Sequence, residues 1–197
     1  GFKPPRMSDG WLVYGETYMH DLTSYATFDD LLKYADKDRY RLRLHVAALP
    51  ERTKPTSLSW GIKTGTGVIH ISDSGMFWTY HFPGKQHPKG LLRAYSYENK
   101  AWLHGGVYAP EHLNSKHKDI WFTMYFDPTH VTVYAASDGY DESDKILLAK
   151  YEHKIKNITD KGSIYLKLNN GFYMLDEISL SSPKKGGRKG SPASSGE

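Results

Sequence analysis

From Tyr40 to Leu49 the chain alternates without a break: Tyr40, Leu42, Leu44 and Val46 fall in one phase, Arg41, Arg43 and His45 in the other. Only an extended strand with one buried face turns a period of two into an apolar side and a polar side. Shorter runs of the same kind recur at 58–63, 67–72, 76–82, 91–98, 120–127, 130–136, 145–153, 163–168 and 172–180. Turn signals separate them: Pro83-Gly84, Asp127-Pro128, Asp138-Gly139 and Asn169-Asn170-Gly171. Trp11 to Tyr14 adds a strand near the start, and Thr27 followed by Phe28, Asp29 and Asp30 has the pattern of an N-cap opening one short helix that ends before Lys37. Many short strands, one small helix and no βαβ rhythm predict an all-β antiparallel sandwich or jelly roll. Trp78, in phase with Tyr80 and Phe82, belongs to its core, as do Ile120, Phe122, Met124, Phe126, Val131 and Val133.

A chain of 197 residues suits one such domain, expected over 1–182, and fifteen Tyr with five Trp fit a β protein better than a helical bundle. Residues 183–197 are rich in Pro, Gly, Ser and Lys, cannot bury enough apolar surface to order themselves, and read as a basic tail or linker. Lys184, Lys185, Arg188 and Lys189 against Glu197 put +3 of the formal +4 there, which leaves the body nearly neutral. A nearly neutral body argues against a nucleic-acid partner, and no apolar run is long enough to span a membrane.

Several chemistries are excluded by what is missing. Zero Cys removes disulfides, thiol nucleophiles and thiolate metal sites, while leaving the compartment open. The ten His show no zinc spacing, and no Gly-x-Ser-x-Gly elbow occurs. No cofactor is implied; a structural calcium ion on the acidic cluster Asp138, Asp141, Glu142 and Asp144 is the inorganic ligand the composition leaves open. Glycoside hydrolysis wants two carboxylates on a cleft wall, and the polar faces of the candidate concave strands carry none.

Those faces carry cations, imidazoles and phenols instead. Arg93, Tyr95 and Tyr97 share one phase of a strand, His81 and Thr79 one phase of another, and Lys63 lies in the glycine-rich stretch Gly61-Ile62-Lys63-Thr64-Gly65. A uronate polymer is cleaved by such a set: a cation neutralises the carboxylate and acidifies the C5 proton, and a Tyr or His takes it and protonates the leaving oxygen. Tyr95, Tyr97, His81, Arg93 and Lys63 are therefore the candidate catalytic residues. Arg41, Arg43, His45, His70, Thr79, Trp102 and His104 are candidate substrate-binding residues, with Trp102 expected in a loop beside Gly105-Gly106 as a ring on which a sugar could stack.

The order of the strand 40–49, the glycine-flanked Lys63, the strand 76–82, Arg93-x-Tyr95-x-Tyr97 and the closing 174–180 resembles concanavalin A-like jelly rolls, and among these the polysaccharide lyases of alginate and glucuronan. The resemblance covers about residues 40–180 and maps the lyases' Gly-Lys turn to Lys63 and their Tyr-x-Tyr strand to Tyr95 and Tyr97. It implies β-elimination on an acidic polysaccharide by a secreted or extracellular monomer. Where these lyases carry Ser-x-Arg, this chain reads Phe77-Trp78-Thr79-Tyr80-His81. Two alternatives stay open: a carbohydrate-binding module or lectin-like domain that binds without cutting, and a β-sandwich whose Tyr and Arg serve a protein interface.

Overall fold

The computed structural model describes residues 6–8, 11–22, 25–28, 32, 35, 39–49, 57–64, 75–110, 119–137, 145–155, 162–169 and 172–183. Over these the alternation becomes thirteen strands in two antiparallel sheets. The seven-stranded sheet runs, in spatial order, β1 (Arg6–Ser8), β2 (Trp11–Leu22), β13 (Phe172–Pro183), β4 (Tyr40–Leu49), β9 (Asp119–Phe126), β10 (His130–Ser137) and β11 (Ile146–Glu152). The six-stranded sheet runs β3 (Tyr25–Phe28), β12 (Gly162–Asn169), β5 (Ser57–Thr64), β6 (Gly75–His81), β7 (Leu91–Ser96) and β8 (Ala101–Tyr108). First and last long strands, β2 and β13, pair inside the larger sheet.

The core lies between the sheets and is built from the apolar phases that the alternation marks. Leu42, Leu44, Phe122, Met124, Val131 and Val133 from the larger sheet meet Trp60, Trp78, Tyr80, Leu92, Ile164 and Leu166 from the smaller one, all essentially buried. Contacts cross the interface directly: Phe122 lies 4.5 Å from Trp60 and 5.2 Å from Tyr80, Trp78 meets Phe126 edge-on at 6.0 Å, and Trp60 Nε1 donates to Met124 Sδ at 3.1 Å. Each such ring is worth roughly 1.5–3 kcal/mol in apolar burial.

Two expectations are corrected. Thr27 and Phe28 do not cap a helix: they pair with Tyr165 and Ile164 as the end of β3, a tertiary pairing that suits a β-branched and an aromatic residue and overrides the local cap signal. Beyond them only Leu32 and Ala35 are described, joined by one tight turn in which Ala35 N–H donates to the Leu32 carbonyl at 3.0 Å. Residues 101–108 are strand β8 at the edge of the sheet rather than a loop. The strand expected at 67–72, the acidic cluster at 138–144 and the tail from 184 onward lie outside the described residues. Among the described residues no group of three or more metal-ligating side chains is found.

Candidate glycan-binding face

The six-stranded sheet presents its polar phase away from the core, and the strand register sorts that face into rungs. One rung runs Ser163, Lys63, Gly75; the next Tyr165, Gly61, Phe77, Tyr95, Trp102; the third Lys167, Ser59, Thr79, Arg93; the fourth Asn169, Ser57, His81, Leu91, Tyr108. Rungs are two residues apart along each strand, about 7 Å.

The second rung is an aromatic band. Phe77 packs against Tyr95 at 5.0 Å, Trp102 at 5.3 Å and Tyr97 at 5.8 Å. Tyr165 lies across Gly61, where a Cβ would come within 2.5 Å of its ring. Its hydroxyl exchanges a hydrogen bond of 3.0 Å with that of Tyr97, and Lys63 Nζ stands 5.8 Å from its ring centre. Lys63, Tyr97 and Tyr165 are all buried, so this half of the face is closed and mutually satisfied.

The other half is open and cationic. Arg93 lies with its guanidinium 4.2 Å over the Trp102 ring, and Trp102 is 42% exposed. A bulge makes this possible: Leu92 pairs with Val107 and Ala94 with Leu103, so Arg93 alone opposes residues 104–106. Gly106 takes φ +93, and a Cβ there would meet Leu91 Cδ1 at 2.9 Å and Arg93 Cγ at 3.2 Å, so only glycine leaves Arg93 its place. One rung on, His81 packs against His87 with ring centres 4.8 Å apart. Burial first, then the nearby His87 and Arg93, hold His81 below the usual imidazole range. Thr79 is buried and shares a 2.9 Å hydrogen bond with Ser59. Tyr108, at the edge, is exposed.

Of the residues singled out from the sequence, Lys63, Thr79, His81, Arg93, Tyr95 and Trp102 fall on this one face, and Tyr97, just past the end of β7, packs on it. They are not one cluster. Lys63 and His81 pair with opposite ends of neighbouring strands, Gly75 and Ser57, some 20 Å apart. Arg41, Arg43 and His45 are not brought together with them: they sit on the outer face of the other sheet. There Arg41 Nε donates to Ser181 Oγ at 2.9 Å, Arg43 approaches Glu177 Oε1 at 3.9 Å and lies 4.7 Å over Trp121, and His45 stacks on Trp121 at 4.0 Å. The alternation of β4 marks a polar phase correctly without telling which sheet it belongs to. His104 lies in the bulge opposite Arg93 and its side chain is outside the described ones, as is the whole of His70. Sequence reasoning missed Tyr165, Phe77, His87 and Tyr108. The signal for Tyr165 was present in Gly61, a glycine inside the apolar alternation Trp60-Gly61-Ile62, which marks close approach of another group.

No model of a known family and no curated protein matches the chain. Solved structures do. The CBM2 module of the evolved Dit of Lactobacillus casei BL23 phage J-1 superposes with a TM-score of 0.53 at 6% identity, over 91% of this chain and 79% of that one. Sheep galectin-11, in complex with glycerol, gives 0.53 at 11% identity over 81% and 98%. The lectin of Bauhinia forficata, in complex with GalNAc, gives 0.52 at 7% identity over 87% and 78%. At such identities the likeness is one of fold: this chain is an antiparallel β-sandwich with the concanavalin A-like jelly-roll architecture of lectins and carbohydrate-binding modules.

Proposed function

We propose that the protein is a secreted monomer that binds an acidic polysaccharide across the outer face of its six-stranded sheet, centred on Arg93 and Trp102. The observation that carries this reading is that pair, an exposed indole with a guanidinium on its ring at the rim of a face whose strands contribute no carboxylate. An indole offers a flat apolar surface to a pyranose ring, and the cation beside it neutralises a uronate carboxylate. Lectin and binding-module neighbours of the same fold support a sugar ligand at a general level. Titration calorimetry with alginate, glucuronan, a glycosaminoglycan and a neutral glucan tests it. Binding to an acidic polymer, weakened more than tenfold by either Trp102→Ala or Arg93→Ala, is the expected result; the lost contacts are worth about 2 kcal/mol at a binding hot spot. Silence with all the acidic polymers sinks the reading and favours a protein interface on the same face.

Cleavage by β-elimination is the second reading. It is favoured by Tyr95, half-exposed and two positions from Arg93 on the same strand face, where a phenol could serve as base and acid beside a neutralised uronate with His81 assisting. Tyr97 is less suited, since its hydroxyl is buried against that of Tyr165. Absorbance of the unsaturated product reports turnover, and Tyr95→Phe should abolish it without loss of binding.

A further inference from the structure

The end of the face at the β6–β7 connection has a charge distribution that sugar stacking alone does not explain. Between Ser74 and Tyr97 the sequence contains no Asp or Glu, while Lys85, Lys89, Arg93, His81 and His87 all fall there. The connection folds back on itself through Gly84 N–H donating to the His87 carbonyl at 2.8 Å, which brings the His87 ring onto His81. His81 Nδ1 and Arg93 Nε are buried without a hydrogen-bond partner. Neither side chain is tied by those atoms to another protein group, and a buried donor or acceptor left unpaired costs about 1–3 kcal/mol.

We propose that His81, His87 and Arg93 form a subsite for an anionic substituent of the glycan, a carboxylate or a sulfate ester, and that occupying it takes up a proton. The inference rests on the glycan-binding reading of this face and names the chemistry and the regulation of one end of it. The elements around His81 supply no counter-charge among the described residues. β5 offers Ser57, β7 Leu91 and Arg93, β8 Tyr108, and the connection Lys85, His87 and Lys89. Glu98 lies at the far end of the face, where it accepts from Gly75 N–H at 2.9 Å and from Ser96 Oγ at 3.1 Å.

The sign of the coupling follows. In the free protein burial first, then the nearby His87 and Arg93, favour neutral His81. An anion beside Arg93 cancels part of that repulsion and raises the imidazole back toward its ordinary range. Between the depressed free value and the raised bound one, the complex holds more protons than the free protein, so affinity tightens as pH falls, by up to about tenfold per pH unit for one proton. Above that window the affinity is flat.

Ring-proton NMR of His81 in the intact chain, titrated with pH in chloride, acetate and sulfate, tests the subsite without any glycan. A rise in the His81 midpoint with sulfate, acetate or both is expected, and which of them works tells a sulfate from a carboxylate site; no rise with either overturns the proposal. Calorimetry with the best-binding polymer from pH 5.5 to 8 then tests the coupling. Tightening toward low pH that His81→Gln flattens is expected, with His87→Gln as a second variant should the first not fold. Glycan binding with no pH dependence, or with a dependence that both variants retain, overturns the coupling while leaving the glycan-binding reading intact. An anion effect on His81 together with calorimetric silence toward every acidic polymer sinks the glycan-binding reading and leaves an anion site.

Discussion

At Gly61 the absence of one methyl group lets Tyr165 lie flat across β5, and through that ring the closed half of the face is assembled. Gly61→Ala puts a Cβ 2.5 Å from Cε1 and 2.6 Å from Cζ of a fully buried ring, so Tyr165 must leave its hydrogen bond with Tyr97. Overpacking of this kind costs about 1–3 kcal/mol, and urea unfolding should show it. Gly105→Ala is the matched control: a Cβ there meets nothing within 4 Å, and the stability should change by less than about 0.5 kcal/mol. The contrast also shows what single residues disclose. Burial of Trp78, Phe122 and Met124 is legible because one phase of a strand must face a core. Arg41 and Arg93 have the same signature in the sequence, a cation alternating with apolar residues, and end on opposite sheets because periodicity carries no information about which sheet a strand joins.

The β9–β10 hairpin shows how an element is stapled by its turn. Asp127 Oδ1 accepts from Thr129 N–H at 2.8 Å, Thr129 Oγ1 at 3.1 Å and His130 N–H at 2.7 Å. His153, following β11, donates from Nε2 to the Asp127 carbonyl at 2.9 Å and accepts at Nδ1 from Ile155 N–H at 3.3 Å. That geometry uses the neutral imidazole, because a second proton on Nδ1 would displace Ile155. Burial, outweighing the hydrogen bonds and carboxylates that act the other way, holds His153 below its ordinary 6.5. A histidine depressed in the folded state is protonated first in the unfolded chain, so the stability it supports is present at neutral pH and declines as pH falls below about 6.5. His153→Gln should flatten the loss of melting temperature between pH 7 and 5 relative to the parent chain; equal slopes would count against it. Asp127 titrates in a separate window. Burial works to raise its carboxyl, but the hydrogen bonds from Thr129 and His130, with the nearby His130 ring, outweigh it and hold the carboxyl below 3.8, and its contribution is lost only below about pH 4. At this scale most strands were legible to within two residues, since alternation ends where Asp-Pro or Pro-Gly begins. β8 was not, because the bulge opposite Arg93 interrupts its period and two glycines imitate a loop.

In the whole molecule, the proposed function draws stability and binding from opposite sides of the same sheet. Trp60 on β5 and Trp78 and Tyr80 on β6 point inward onto Phe122 and Phe126, while Phe77 on β6, Tyr95 on β7 and Trp102 on the edge strand β8 form the band on the outer face. A sheet with aromatic rings on both faces explains why the chain is so rich in Tyr and Trp, and why composition alone could not separate core rings from outer ones. The separation can be measured. Phe122→Ala removes a fully buried ring from the centre of the sandwich and should cost about 3–5 kcal/mol, seen as a lower urea midpoint, while the protein that remains folded keeps its glycan affinity within about twofold. Trp102→Ala removes a ring already 42% exposed on an edge strand and should cost under about 1 kcal/mol of stability, yet lose the acidic glycan. Were Trp102→Ala to destabilise the fold as much as Phe122→Ala, the outer aromatic band would be a second core rather than a binding surface. The reciprocal pattern is what the proposed division of labour predicts, with the inner face holding the sheets together and the outer face meeting the sugar.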